Sequence, residues 1–480
     1  MNDWTLTLPD RLRRELIGHL FPGDADEHGA VLLAGIARTG TRTRLLGREL
    51  ILARDGIDYV PGIRGYRQLT ANFVRDGIVR ARDERLVYLA VHNHGGSGEV
   101  AFSPDDMGSH ERGYQALLDI ADGLPVGAIV VALRAVAGDI WEPNGDRHAL
   151  VETRLLGPQI ERWTPDADPS GAIVDSRFDR GARLFGDVGQ AILAGTKMGI
   201  IGAGGAGMLL TEYLARSGVG ALVIADPERV DTTNLPRLPG ARGSDARVLF
   251  AASRWPAVLR TLGARLARRK VDLARRLARE AAPRISVEAI PGDFLDPAVA
   301  ARFRTCDYLF LAADSMQARL LFSAIVNADL IPGVQVGAKA SLDQRTGAVL
   351  DVHSVVRPSW PGEGCLWCNG VIPPARLAEE AATPERRRAQ RYVDDPAVPA
   401  PAVMALNATA ASQAANDALF AMTGLASPDA TPAWLICRPQ ERAVQLTEPR
   451  REPTCPFCGR GPTSLFARGD AAALPTKVLV

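Results

Sequence analysis

Two apolar periods alternate along this chain. Apolar residues three and four apart from Asp10 to Leu20 predict an amphipathic helix. Short apolar runs at Ala30–Ala37, Leu86–Val91, Val126–Arg134 and Ala149–Leu156 predict strands. Ser103 followed by Pro104 marks a helix start, because a serine caps free backbone N–H groups and a proline fits the first turn. From Ser176 to about residue 340, strand and helix patterns alternate, as they do around a parallel sheet. Met198–Ile201 predicts a buried strand, Met208–Arg216 a helix, and Ala221–Ala225 a second strand that ends in Asp226. Leu238–Glu280 is rich in Arg and Ala and predicts mostly amphipathic helix with a solvated basic face.

Breaks in the pattern divide the chain. Trp163–Ala172 is polar with Pro and Gly and predicts a linker. The expected organisation is a first α/β domain over 1–160, a linker over 161–175, a second α/β domain over 176–460 and a tail over 461–480. Pro373–Pro401, charged and Pro-containing, is expected to form a mobile crossover loop.

Composition narrows the partners. With 46% hydrophobic residues and a net charge of +1, the chain has no electrostatic case for nucleic acid or a membrane surface. No run approaches the ~20 apolar residues of a spanning helix. The N-terminus lacks the apolar core of a signal peptide, so the expected compartment is the cytoplasm. Cysteines there are metal ligands or core residues rather than disulfides. Six of the seven histidines precede residue 150, so the two halves are expected to do different chemistry.

The glycines Gly202, Gly204, Gly205 and Gly207 lie between the strand at Met198 and the next helix. Such a turn lets backbone N–H groups and a helix N-terminus face phosphate, and Asp226 stands where an acid meets a ribose. That much suits an NAD dehydrogenase. Asn234 and Arg237 follow too closely for one, and they suit an enzyme that holds a triphosphate and cleaves it between its α- and β-phosphates.

These residues resemble the ThiF/MoeB/ubiquitin-activating-enzyme family over about 270 residues. Ser176–Arg180 is similar to the family's RYxRQ, with Gly181 for the Gln. Asp226, Asn234 and Arg237 match its D…NLxRQ, with Leu238 for the Gln. Lys270 resembles its conserved lysine beyond a longer insertion, and Asp314, in LAADSMQAR, resembles the acid ending its TDN strand. The resemblance implies a Rossmann-like fold and adenylation of the C-terminal glycine of a ubiquitin-like or sulfur-carrier protein. It assigns ribose to Asp226, phosphates to Arg237 and Lys270, and Mg²⁺ to Asp314. Arg180 would reach the ATP of a second subunit, which implies a homodimer.

Cys365-Leu366-Trp367-Cys368 and Cys455-Pro456-Phe457-Cys458 each put two thiols on one tight turn, and together they make a tetrahedral zinc site with no open position. The same family carries two such knuckles. Cys306 and Cys437 are expected in the core. No cysteine lies between Asn369 and Ile436, so no thioester with a partner is expected.

In the first domain, His92 and His94 are two apart on an extended chain and share a face. Ser103-x-x-Asp106 brings a carboxylate, with Asp105 as the alternative. Two histidines and one acid leave a zinc position open for water, which suits hydrolysis. The pattern resembles the JAMM/MPN metalloproteases over about 150 residues, with eight residues instead of seven between His94 and Ser103. The resemblance implies a cytidine-deaminase-like α/β fold, Glu27 as general base, Ser103 in the catalytic set, and cleavage after the terminal glycine of a ubiquitin-like protein. His28 and His110 are expected at the surface. The expected whole is a bifunctional enzyme with ATP, Mg²⁺ and two Zn²⁺, and a conjugating enzyme as a further partner. Alternatives are sulfur transfer in biosynthesis, or a scaffold with a degenerate metal site.

Overall fold

The computed structural model describes residues 3–61, 67–96, 98–166, 175–247, 255–343, 345–381, 403–430 and 432–477. Most of the expected linker (167–174) and of the expected loop (382–402) lies outside them. The chain divides into two compact units. One comprises Met1–Ser170 with Asn327–Leu330 and Pro453–Ala473; the other comprises Gly171–Val326, Ile331–Glu452 and Leu474–Val480. Among the described residues no helix is long and apolar enough to cross a membrane.

The first unit is built on eight strands: β1 (Asp3–Pro9), β2 (Gly29–Thr39), β3 (Arg42–Leu52), β4 (Val87–Asn93), β5 (Val126–Val131), β6 (Val136–Trp141), β7 (Arg147–Leu156) and β8 (Ile160–Trp163). Their order is β1-β3-β2-β4-β5-β6-β7-β8, and β1 also pairs with β7, so the sheet closes on itself through β1. Among the described residues three helices cover it: α1 (Asp10–Leu20), α2 (Ala71–Asp83) and α3 (Pro104–Ile120). Side chains alternate across a strand. Ala30 and Leu32 therefore join Leu16 and Leu20 of α1 in one core. Val31 and Leu33 join Ile78 of α2 and Tyr114 of α3 in another. Burying β2 on both faces explains its unbroken apolar run.

The unpredicted β3 reads as charged, yet two of its arginines, Arg44 and Arg48, are buried. Arg44 donates to the Asp329 carbonyl at 3.0 Å, and Arg48 donates to the carbonyls of Gly461 and Phe466. The expected strand to Arg134 ends at Val131, where the chain turns into β6.

The second unit holds β9 (Lys197–Ile201), β10 (Ala221–Ala225), β11 (Ser286–Ile290), β12 (Tyr308–Leu311), β13 (Gly333–Leu342), β14 (Val349–Ser359), β15 (Trp434–Arg438) and β16 (Ala443–Thr447), in the order β11-β10-β9-β12-β13-β14-β15-β16. The pairs from β11 to β13 are parallel and the rest antiparallel. Strand order reverses beside β9, so a crevice opens beyond the C-terminal ends of β9 and β12, where open α/β sheets bind ligands. Its helices are α4 (Asp179–Gly195), α5 (Gly205–Arg216), α6 (Ala257–Leu266), α7 (Lys270–Ala281), α8 (Pro297–Phe303), α9 (Met316–Ala328), α10 (Pro374–Ala381) and α11 (Met404–Thr423).

Two expectations are corrected here. Of Leu238–Glu280, residues 238–247 form turns, because Pro239 and Gly240 interrupt the helical pattern; α6 and α7 follow, and 248–254 lie outside the described residues. The expected loop from Pro373 begins as α10, whose Leu377 packs on the core below β12.

Candidate functional site

Three strand ends line up at the crevice. Ile201 is level with Ala225 and with Leu311, and the next residue of each chain is Gly202, Asp226 or Ala312. Gly202 has a φ of 95°, and a Cβ on it would lie 3.1 Å from the backbone of Ala312. A Cβ on Gly207 would lie 1.9 Å from the Gly202 carbonyl oxygen. Gly207→Ala is thus expected to push the turn open, at about 3 kcal/mol or more. Thermal unfolding with and without ATP checks this, since both stability and its gain from ATP should fall.

Asp226 is buried, and its two oxygens accept separate backbone bonds, from Ala203 N and Glu228 N, both at 2.8 Å. Burial pushes its pKa up against the pull of nearby Lys270. Lys270 is itself buried and pairs with the exposed carboxylate of Glu228. Glu228 is a partner that sequence reasoning missed; its one signal was its place two residues after Asp226.

Asn234 is 2% exposed and completes a reciprocal cap with Asp231 on a single turn, Thr232–Asn234. That turn sets the backbone of Arg237 beside Gly205, whose missing side chain also leaves room for the amide of Asn407 on α11.

Asp314 is exposed just past β12. It does not cap α9. Ser315 Oγ accepts from Ala318 N at 3.1 Å, and the Glu380 carboxylate accepts from Met316 N and Gln317 N at 2.9 and 3.1 Å. Arg180 is exposed in the first turn of α4.

In the first unit, β4 delivers His92, and His94 follows it. Their Nε2 atoms are 3.1 Å apart. Asp106 joins them, with Oδ1 3.5 Å from His92 Nε2 and Oδ2 3.3 Å from His94 Nε2. One ligand atom from each of the three lies within 4.8 Å of the others, a fit for one metal ion. Asp105 stays exposed.

Asp106 is aimed by the start of α3. Ser103 N and Oγ both donate to its Oδ2, at 2.8 and 2.7 Å, and Ser103 Oγ accepts from Asp106 N. Burial works to raise the Asp106 pKa, but hydrogen bonds from His92, His94 and Ser103 outweigh it and hold the carboxyl far below the usual range. The bond to Asp106 raises His94. Glu27 Oε1 lies 3.8 Å from His94 Nε2, and burial pushes the Glu27 pKa up.

The expectation for His28 and His110 is corrected, since both are buried. His28 is held by Asp24 and by the Asn93 side chain, and His110 Nδ1 meets Asp139 at 2.8 Å. For His110, the buried Asp139 carboxylate on β6 supplies the polar partner that a surface position was expected to give, and no local pattern announced it.

Cys365 and Cys368 are buried in the second unit, and Cys455 and Cys458 are buried in the first. Gly459 donates its N–H to the Cys455 carbonyl at 3.0 Å, which closes the second turn. Cys306 is in the core, as expected. Cys437 is only half-buried on β15, because the strand beyond it, β16, is exposed throughout.

Residues 178–457 match the model of the ThiF family. Adenylyltransferase and sulfurtransferase MOCS3 of Sus scrofa is 35% identical over 135 residues, covering 26% of this chain and 30% of that protein. The tRNA threonylcarbamoyladenosine dehydratase of Escherichia coli K12 is 24% identical over 184 residues, covering 38% of this chain and 61% of that protein. The chain thus spans less than two thirds of either relative. Among solved structures, E. coli MccB with ATP aligns with a TM-score of 0.43 at 19% identity, covering 60% of this chain and 74% of that one. With its family match extending over more than half its length, the chain belongs to the ThiF family.

Proposed function

We propose that the second unit adenylates the C-terminal glycine of a ubiquitin-like or sulfur-carrier protein, and that the first unit hydrolyses peptide or isopeptide bonds after that glycine. What supports the first part is that β9, β10 and β12 end level with one another, so that the glycine turn, Asp226 and the segment leading to Asp314 leave the sheet at one crevice, in a ThiF-family chain. The partner's carboxylate attacks the α-phosphorus of ATP, the bond to the β-phosphate oxygen breaks, and pyrophosphate leaves.

Asp226 suits a ribose diol, since each of its oxygens keeps a lone pair after its backbone bond. Arg237 and Lys270 hold phosphates, and Lys270 leaves Glu228 to do so. Asp314 holds the Mg²⁺ that accompanies the nucleotide. Arg180 reaches the crevice of a second copy, so the active species is a homodimer.

The test is ATP–pyrophosphate exchange with candidate ubiquitin-like proteins. Exchange that depends on one of them is expected; nucleotide binding without any exchange would sink the reading. A sulfur carrier is favoured over a ubiquitin-like modifier by the relative named adenylyltransferase and sulfurtransferase.

For the first unit, the carrying observation is the three-ligand cluster with Glu27 beside it. A zinc ion held by His92, His94 and Asp106 would supply Lewis acidity toward a water and the scissile carbonyl. Glu27 takes the proton of the attacking water and passes it to the leaving amine. Ser103 acts by orienting Asp106. The two Cys-x-x-Cys turns would supply four thiolates to a second zinc, closed to water and structural.

No thioester with the partner is expected. Cys306 is 3% exposed, and a thiol in apolar surroundings is inert. Cys437 is the thiol to watch, because it is half-buried. Thr383, whose hydroxyl is the candidate for an oxyester, lies outside the described residues. A non-reducing gel after incubation with ATP, Mg²⁺ and partner should show no adduct that dithiothreitol removes. An adduct lost in Cys437→Ala or Cys306→Ala would refute this.

A further inference from the structure

The cluster of His92, Asp106 and Glu27 stands at the rim of a cleft of about 270 Å³ between α2, α3 and the sheet. Its inner wall is apolar, formed by Leu69, Val74, Ala90, Tyr114 and Leu117. Two features of that wall are unusual. Gly113 on α3 lines the cleft, and a Cβ there would meet nothing within 4 Å. An alanine would favour the helix, and a larger side chain would fill the space, so the glycine keeps the cleft open at a cost in stability. Tyr88, 1% exposed, also lines the cleft, and its hydroxyl has no hydrogen-bond partner among the described residues. An unmet buried hydroxyl costs free energy that an occupant with a polar atom would recover.

We propose that this cleft is a side-chain pocket that receives, next to the bond to be cleaved, a substrate residue with a bulky ring and a hydrogen-bonding tip, tyrosine above all. The proposal rests on the hydrolytic reading of the first unit. The volume is just below that of small-ligand sites, about 300 Å³ and upward, which suits one ring and not a larger ligand. Burial raises the Tyr88 pKa, so the phenol stays protonated and can donate to the occupant. The rim residues are those assigned to the chemistry, so the occupant's backbone would lie at the cleavage site.

The experiment uses the full chain loaded with zinc, and peptides that end in Gly-Gly-X, with X as Tyr, Phe or Ala, together with a second set varied on the other side of the bond. Tyrosine is expected to exceed alanine in kcat/KM by about tenfold or more, and to exceed phenylalanine through the bond to Tyr88. Gly113→Leu should bring the tyrosine-to-alanine ratio close to one. Tyr88→Phe should erase the difference between tyrosine and phenylalanine. Gly18→Leu, an exposed glycine of α1 that also has open space around it, should keep the wild-type ratios. Cleavage with equal rates for all peptides, or ratios that survive Gly113→Leu, would overturn the pocket and leave the hydrolytic reading standing. No cleavage of any peptide would overturn both.

Discussion

Asp314→Ala should lower ATP–pyrophosphate exchange about a thousandfold and leave peptide-bond cleavage within about twofold. The argument starts from what Asp314 does not do. It is exposed past the end of β12, and the start of α9 is capped by Ser315 and Glu380 instead, so removing the carboxylate takes nothing from the fold. On the proposed reading, what goes is the hard oxygen ligand for Mg²⁺, which offsets the charge that develops on pyrophosphate. Glu27→Gln should do the reverse, losing about two to four orders of magnitude in cleavage and keeping exchange. The amide fills the same space but accepts no proton. Glu27 belongs to the first unit and Asp314 to the second. If either substitution removed both activities from a folded protein, the assignment of two separate sites would be wrong.

The parts that could be read from sequence were those dictated by local chemistry. The run from β9 through the glycines to β10 appears within a residue or so at the strand boundaries, because a φ of 95° at Gly202 and the close approach at Gly207 admit no other residue type. The helix α5 begins three residues before its apolar period, since its first turn is made of the glycine loop itself. The ends of α1 matched, and Ser103 and Pro104 announced α3 correctly. His92, His94 and Asp106 could be brought together on paper because strand and cap geometry each fix a direction.

What depends on distant pairing was not legible. β1 is a short strand whose place comes from partners at both β3 and β7. β3 carries buried arginines whose acceptors come from segments hundreds of residues away. β16, exposed along its length, has no pattern to read. At the sites, the missed residues are partners of the expected ones: Glu228 on Lys270, Glu380 at the start of α9, and Asp139 on His110. A side chain that acts through another carries no spacing signal of its own.

The two proposed metals should respond differently to the loss of one ligand. Zinc content of the wild-type chain is expected at two per chain, and His92→Ala, His94→Ala and Cys365→Ser should each lower it by one. The histidines sit at a rim, with side chains 21% and 20% exposed, on a strand end that the sheet already holds. Binding there is open to water and adds little to folding, so His92→Ala and His94→Ala should melt within about 2 °C of wild type. Cys365 is 3% exposed, and Leu366 beside it is fully enclosed in the core of the second unit. On the proposed reading, removing one thiolate takes away a ligand and leaves the other three with a weakly held cation or none. A closed site of this kind contributes folding free energy directly. Cys365→Ser should therefore lower the melting temperature by about 10 °C or more. Metal analysis beside differential scanning calorimetry on the three variants makes the comparison, and equal melting temperatures would contradict the division into an open catalytic site and a closed structural one.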